Sequence, residues 1–184
     1  FEESMMMMIN WHKHFIKELD EYKLKHTDKS ISEIFKMVTP IRELKYKSEK
    51  MNVRGYIDAI RKYDGKTHII DYKTNARSDL KQSIIRQLSI YAIMYHESHG
   101  FFPEKVGAFF LRDKLKMISI TPEMILDAKV DIEQLHMHTA STVEKVDYVR
   151  NITPLCKWRT GQCDFYETCD PHGKVNRNNV SCNF

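Results

Sequence analysis

Asp58, Asp71 and Lys73 are the residues of this 184-residue chain whose types and spacing could do chemistry. They fall in RGYIDAIRKYDGKTHIIDYKTN, residues 54–75, where an Asp64-Gly65 pair separates two runs rich in β-branched and aromatic residues. That pattern predicts a β-hairpin with a two-residue type I′ turn. A turn centred on Asp64 and Gly65 sets Asp58 directly opposite Asp71, at a non-hydrogen-bonded position where Cα atoms approach to about 4.5 Å. Like charges held there repel. Side chains alternate along a strand, so Asp71 and Lys73 leave one face and Tyr72 the other. One face then carries two carboxylates and an ammonium, with Ile57, Ile69 and Ile70 making the strands apolar around them. In a partly dry setting a cation between the carboxylates relieves the repulsion, and a hard, oxygen-seeking ion such as Mg2+ fits. The plainer reading is a solvated strand face, on which Asp-x-Lys triplets are common. The glycine three residues before Asp58, the apolar approach to both aspartates and the cross-strand register favour a site.

GYIDAI, IIDYKT and QLSIYA, in that order, resemble the core motifs of the RecB-like branch of the PD-(D/E)XK nucleases, which includes bacterial recombination exonucleases and CRISPR-adaptation nucleases. The resemblance covers roughly residues 41–112 and extends loosely to the C-terminal cysteines. It implies a restriction-endonuclease-like core, with Asp58 and Asp71 as metal-binding carboxylates and the backbone carbonyl of Tyr72 as a further ligand. Lys73 becomes the catalytic lysine. Gln87 and Tyr91 match the family's Q-x3-Y motif and would position the DNA strand or the lysine. For Tyr91, simple core packing is the competing reading. Glu43, in IRELKY, stands where an acidic residue is often found on the preceding strand, and no chemistry is assigned to it. The implied activity is Mg2+- or Mn2+-dependent hydrolysis of DNA phosphodiester bonds, preferably as an exonuclease.

Helical apolar spacing of Met5, Met8, Ile9, Phe15, Ile16 and Leu19 predicts a helix over residues 4–26, and Ser30 with Glu33 a capping box for a short helical turn. Pro40 ends anything helical. Strands are expected at 41–48, 53–62 and 67–74, followed by a helix over 79–98 capped by Ser78 or Asp79 and stopped by Gly100. Gln87 and Tyr91, four apart on it, share a face. KVGAFFLRDKLKMISI, residues 105–120, reads as a second hairpin turning at Asp113 and Lys114. Thr121, Pro122 and Glu123 then start a helix that could reach Lys145. The expected fold is therefore α/β, a mixed central sheet flanked by helices. Residues 1–155 form the nuclease-like domain, and residues 156–184 form a C-terminal cysteine segment and tail packed on it.

The hydrophobic and charged shares, 42% and 29%, are those of a soluble globular protein. A formal charge of +4 is compatible with a phosphate-bearing partner without demanding one. No segment has the apolar length to span a bilayer, which makes an intracellular location the default. The chain begins at Phe1 as if inside a helix, so a fragment of something longer is expected, with the upstream histidine ligand that the resemblance implies missing along with the rest. His12, His14, His26, His136 and His138 read as ordinary surface or half-buried histidines.

All four cysteines, Cys156, Cys163, Cys169 and Cys182, lie in the last 29 residues. In an intracellular chain such clustering favours metal over disulfides. The family resemblance implies a 4Fe-4S cluster, although six residues separate the first two cysteines where the family usually has two, and there is no early cysteine. Zinc, or unliganded thiols, stays open. Two rival functions stay open as well. One is a catalytically silent nucleic-acid-binding or assembly subunit of the same fold. The other is a hydrolase of small phosphorylated substrates, against which the lack of a glycine-rich phosphate loop counts.

Overall fold

The computed structural model describes residues 1–63, 65–143 and 153–166. The described chain falls into two compact units, Phe1–His136 and Met137–Phe184.

In the first unit, α1 (Glu2–Lys25) has glutamates in its first turn and lysines in its last, the arrangement that suits the helix dipole. It buries Phe15, Leu19 and Tyr22 against Ile34 and Val38 of α2 (Ile31–Val38). The capping box expected at Ser30 is present: Ser30 Oγ accepts from the Glu33 amide and the Glu33 carboxylate accepts from the Ser30 amide. Pro40 separates α2 from β1 (Ile41–Ser48), which runs antiparallel to β2 (Val53–Tyr63). β3 (Lys66–Lys73) completes the Asp-Gly hairpin in the expected register, with Tyr63 opposite Lys66 and Ala59 opposite Ile70. Gly65 adopts a φ of 74°, which a type I′ turn requires; Asp64 lies outside the described residues.

A crossover through α3 (Gln82–His99) makes β4 (Lys105–Phe110) parallel to β3, and β5 (Leu115–Ser119) pairs antiparallel beyond it. The sheet order is β1-β2-β3-β4-β5, a mixed five-stranded α/β sheet as expected. On one face α3 covers Ile60, Ile69, Val106 and Phe110 with Leu88, Ala92 and Tyr95. On the other, Ala59, Ile70 and Phe109 meet Trp11 of α1.

Two helix ends differ from expectation. The start of α3 falls at Lys81 rather than at Ser78 or Asp79, and Lys81 offers no side-chain cap. The Lys81 amide is taken by the Asp79 carbonyl in a turn, and Lys81 itself is still extended. At the other end Gly100 stops the helix in the left-handed conformation, as expected. The last helix, α4 (Pro122–Ser141), ends short of Lys145. The hydroxyls of Ser141 and Thr142 both donate to the His138 carbonyl, and such local side-chain bonds compete with helix continuation. No described helix is long and apolar enough to cross a membrane.

In the second unit, β6 (Lys157–Trp158) and β7 (Gly161–Gln162) form a tight hairpin. Gly161 is needed there, because a Cβ would meet the Trp158 indole at 2.9 Å. Cys156 and Cys163 sit directly across from one another beyond the hairpin pairs, with the Cys163 amide donating to the Cys156 carbonyl at 2.9 Å. Cys169, Cys182 and the asparagine-rich tail lie outside the described residues.

Candidate active site

The hairpin and the helix that follows it bring four of the expected residues, Asp71, Lys73, Gln87 and Tyr91, into one hydrogen-bonded cluster, with Asp58 bonded to the backbone beside it. Asp71, only 2% exposed, ends the buried part of β3. Lys73, two residues on and hence on the same face, places Nζ 2.6 Å from Asp71 Oδ2. Gln87, one and a half turns into α3, bridges them: its Oε1 accepts from Lys73 Nζ at 2.8 Å, and its Nε2 donates to Asp71 Oδ1 at 3.1 Å and to the Tyr91 hydroxyl at 2.8 Å. The spacing of four brings Gln87 and Tyr91 together on the helix face turned to the sheet. Gly55 packs beneath this helix: a Cβ there would lie 3.3 Å from Met94 Cε and, in ordinary contact, 3.6 Å from Tyr91 Cε1.

Asp58 enters differently from expectation. The β2–β3 ladder stops at Ala59–Ile70, so Asp58 and Asp71 are not a ladder pair. On the other side, Arg42 pairs with Ala59 and Leu44 with Ile57, leaving Asp58 unpaired there too. The residue that should face it is Glu43, whose φ of 50° is left-handed. Released from both ladders, Asp58 uses its side chain: Oδ2 accepts the Tyr72 amide at 2.9 Å. A continued ladder would have given that amide to the Ile57 carbonyl. The carboxylate thereby caps the peptide between Asp71 and Lys73.

Burial pushes the Asp71 carboxyl above the ordinary carboxylate range, the neighbouring Asp58 charge adds to this, and the hydrogen bond and charge of Lys73 oppose it. Burial likewise raises the Tyr91 hydroxyl, and the charges of Asp71 and Asp58 push in the same direction against the Gln87 hydrogen bond. Burial therefore makes the charged form of Asp71 costly, and a cation beside it would relieve that cost. Carboxylate oxygens suit a hard ion, and two carboxylates with one backbone carbonyl match Mg2+, which keeps several of its waters. Among the described residues no group of three or more His, Cys, Asp or Glu could hold a metal.

The histidines stand elsewhere. His14, on α1, lies 3.4 Å from Glu18 and edge-on to Phe109, on the face of the sheet opposite the carboxylates. His26 leans on Tyr22, and His136 meets the Met51 carbonyl at 2.9 Å. Beside His14 lies a feature that sequence reading missed, a buried ion pair between Glu18 and Arg61, the latter 2% exposed. Also missed is the bracing of the strand after Lys73 by α1 and the β4–β5 turn. Leu111 donates to the Lys73 carbonyl at 2.9 Å, and Asn10 donates to the carbonyls of Leu111 and Asp113, both at 2.9 Å. The two Asn10 bonds join residues 101 and 103 positions apart, and no local pattern signals them.

A family model described as the PD-(D/E)XK nuclease superfamily matches residues 4–170. Among solved structures, the crystal structure of a "Putative exonuclease" from Eubacterium rectale is similar over 97% of this chain and 77% of that one, with 14% identity and a TM-score of 0.47. A search of curated proteins found no match.

Proposed function

Because the chain belongs to the PD-(D/E)XK nuclease superfamily, we propose that it is a metal-dependent deoxyribonuclease of the RecB-like branch, acting on DNA as an exonuclease. The observation that carries this reading is the half-buried cluster in which Lys73 touches both the buried Asp71 and Gln87 beside a second carboxylate, Asp58.

Asp58, Asp71 and the Tyr72 carbonyl are the groups that would hold Mg2+ or Mn2+. When bound, such an ion supplies Lewis-acid polarisation of the scissile phosphate and lowers the pKa of a coordinated water. The chain's own residues do the rest. Asp58 fixes the Tyr72 peptide through its amide, and so sets the direction of the adjoining strand end. Lys73 places a positive charge where negative charge develops on the phosphoryl oxygens, and it orients the attacking water. Gln87 holds Lys73 and Asp71 at fixed separation, and Tyr91 holds Gln87. Positioning of this kind is where enzymes gain most over a flexible assembly of the same groups.

End-labelled single- and double-stranded DNA, with and without Mn2+, tests the reading. Asp71→Ala and Lys73→Ala should each lose cleavage on the order of a thousandfold while remaining folded. Covalently closed circular DNA should resist the wild-type protein. A folded Asp71→Ala protein that still cleaves at the wild-type metal-dependent rate would remove the assignment.

The RecB-like reading extends to Cys156, Cys163, Cys169 and Cys182 as ligands of a 4Fe-4S cluster, zinc being the alternative. Its support is the placing of Cys156 and Cys163 across the hairpin, together with the Thr153 amide, which donates to Cys156 Sγ at 3.3 Å as amides do to metal-bound thiolates. Anaerobic purification should give brown protein containing iron and absorbing near about 400 nm. Colourless protein with stoichiometric zinc would select the alternative.

A further inference from the structure

Resting on that reading, we infer that Arg112 is a positioning residue for Lys73, acting through the backbone on the far side of the strand. Arg112 lies in the β4–β5 turn, well removed in sequence from the carboxylates. Its Nε donates to the Thr74 carbonyl at 3.0 Å, one residue beyond Lys73. Its two terminal nitrogens grip the carboxylate of Glu3 at 3.2 and 3.0 Å, a bidentate pair. The neighbouring Leu111 amide takes the Lys73 carbonyl at 2.9 Å. Consecutive carbonyls, those of Lys73 and Thr74, are therefore both held by consecutive residues, Leu111 and Arg112.

The placement matters because β3 ends at Lys73 and the next eight residues, 74–81, are neither strand nor helix. A lysine at the last position of a strand, with an irregular loop beyond it, is where backbone fraying begins. The side-chain contacts of Lys73 fix its ammonium only if its Cα stays put. The ladder to β4 ends at Lys73–Phe110, so the Thr74 carbonyl is the first group beyond the sheet. The planar guanidinium suits this task, since one edge can serve the carbonyl while the other is locked by a carboxylate. Glu3 is mostly exposed, so its part is to orient the guanidinium rather than to anchor the helix. The bond from Nε to Thr74 is the one that reaches the site.

Four variants separate these roles: Arg112→Met, Arg112→Lys, Glu3→Gln, and the exchange of Glu3→Arg with Arg112→Glu. Misplacement of a reacting group by about 1 Å can cost a hundredfold, so the loss of one of two backbone ties should lower kcat about tenfold in Arg112→Met, with KM for DNA within about twofold. Arg112→Lys, which keeps a donor within reach of the carbonyl, should recover most of kcat. Glu3→Gln should keep at least about half of it. The exchange restores an ion pair but not the donor to Thr74, and should be as slow as Arg112→Met. A restored kcat in the exchange, or an unchanged kcat in Arg112→Met, would overturn the inference. Amide hydrogen exchange at Leu111 reads the tie without any need for catalysis: it should accelerate at least about tenfold in Arg112→Met and little in Glu3→Gln. Unaltered exchange in Arg112→Met overturns the inference whether or not the protein cleaves DNA. Absence of cleavage by the wild-type protein, with accelerated exchange in the variant, would overturn the nuclease reading and leave the tie standing.

Discussion

Replacing Asp58 by Asn tests whether the two carboxylates share a cation. Asparagine keeps an oxygen that can accept the Tyr72 amide, so the strand geometry should survive, while one unit of negative charge beside Asp71 is lost. Without metal, that charge contributes to the raised pKa of Asp71, so the variant should be at least as stable as wild type. With metal the order reverses. An ion that binds only the folded protein stabilises it by about 2.7 kcal/mol at a hundred times its dissociation constant. The unit that holds the site runs from Phe1 to His136. At an unfolding entropy of about 2.1 cal/mol/K per residue, a unit of that size has about 0.29 kcal/mol/K, and the gain corresponds to about 9 °C in Tm. Differential scanning fluorimetry against Mn2+ concentration measures it. Wild type should climb by roughly that amount at a hundred times its dissociation constant, and Asp58→Asn at the same Mn2+ concentration by less than about a third of it. Equal climbs in the two proteins would refute Asp58 as a ligand, and with it the idea that its escape from both ladders serves metal binding.

Asp71 has a raised folded-state pKa, so its contribution to stability is fully present below the unfolded value near 3.8 and is lost as pH rises through the folded one. In metal-free protein, Asp71→Asn should therefore flatten the fall in stability above pH 4, as followed by urea unfolding across pH. Glu18 behaves oppositely: burial pushes its carboxyl up, but hydrogen bonds and charge from His14 and Arg61 together hold it below the usual range. Its stabilisation is present above the unfolded value and lost as pH falls through the folded one. Glu18→Gln strands the buried Arg61 and should cost about 3 kcal/mol at pH 7, a loss that shrinks in acid. Glu43→Gly removes a left-handed penalty of about 1–2 kcal/mol against a glycine entropy cost of about 0.5–1 kcal/mol, so Tm should rise by a few degrees. An unchanged or lowered Tm would mean that the Glu43 side chain holds this conformation.

The hairpin was legible because Asp-Gly between β-branched runs leaves the chain few choices, and its register followed from the turn alone. The Gln87–Tyr91 pair was legible from helical spacing. The departure of Asp58 from the ladder was not, because it depends on a left-handed Glu43, and glutamate has no preference for that conformation. Ser78 and Asp79 are good capping types, yet the Asp79 carbonyl engages Lys81 first and postpones the helix, a choice between two local solutions of similar cost. The Arg61–Glu18 pair and the Arg112 ties join distant parts of the chain. Their residue types alone read as surface charges, and only the closing of α1 over the sheet brings Glu18 to Arg61 and Glu3 to Arg112.

The left-handed conformation of Glu43 has a bearing on how copies of this protein meet. β1 is an edge of the sheet, and an edge strand offers a row of unpaired amides and carbonyls to any passing strand. Ile41 and Leu44 are exposed along it, which would make a flat edge adhesive. The left-handed Glu43 between them is a position that a regular strand does not offer for pairing. Lys45 and Lys47 add charge to the same strand. The left-handed residue that stands opposite the unpaired Asp58 thus also makes this edge less regular, and a variant that made β1 regular should lose colloidal stability.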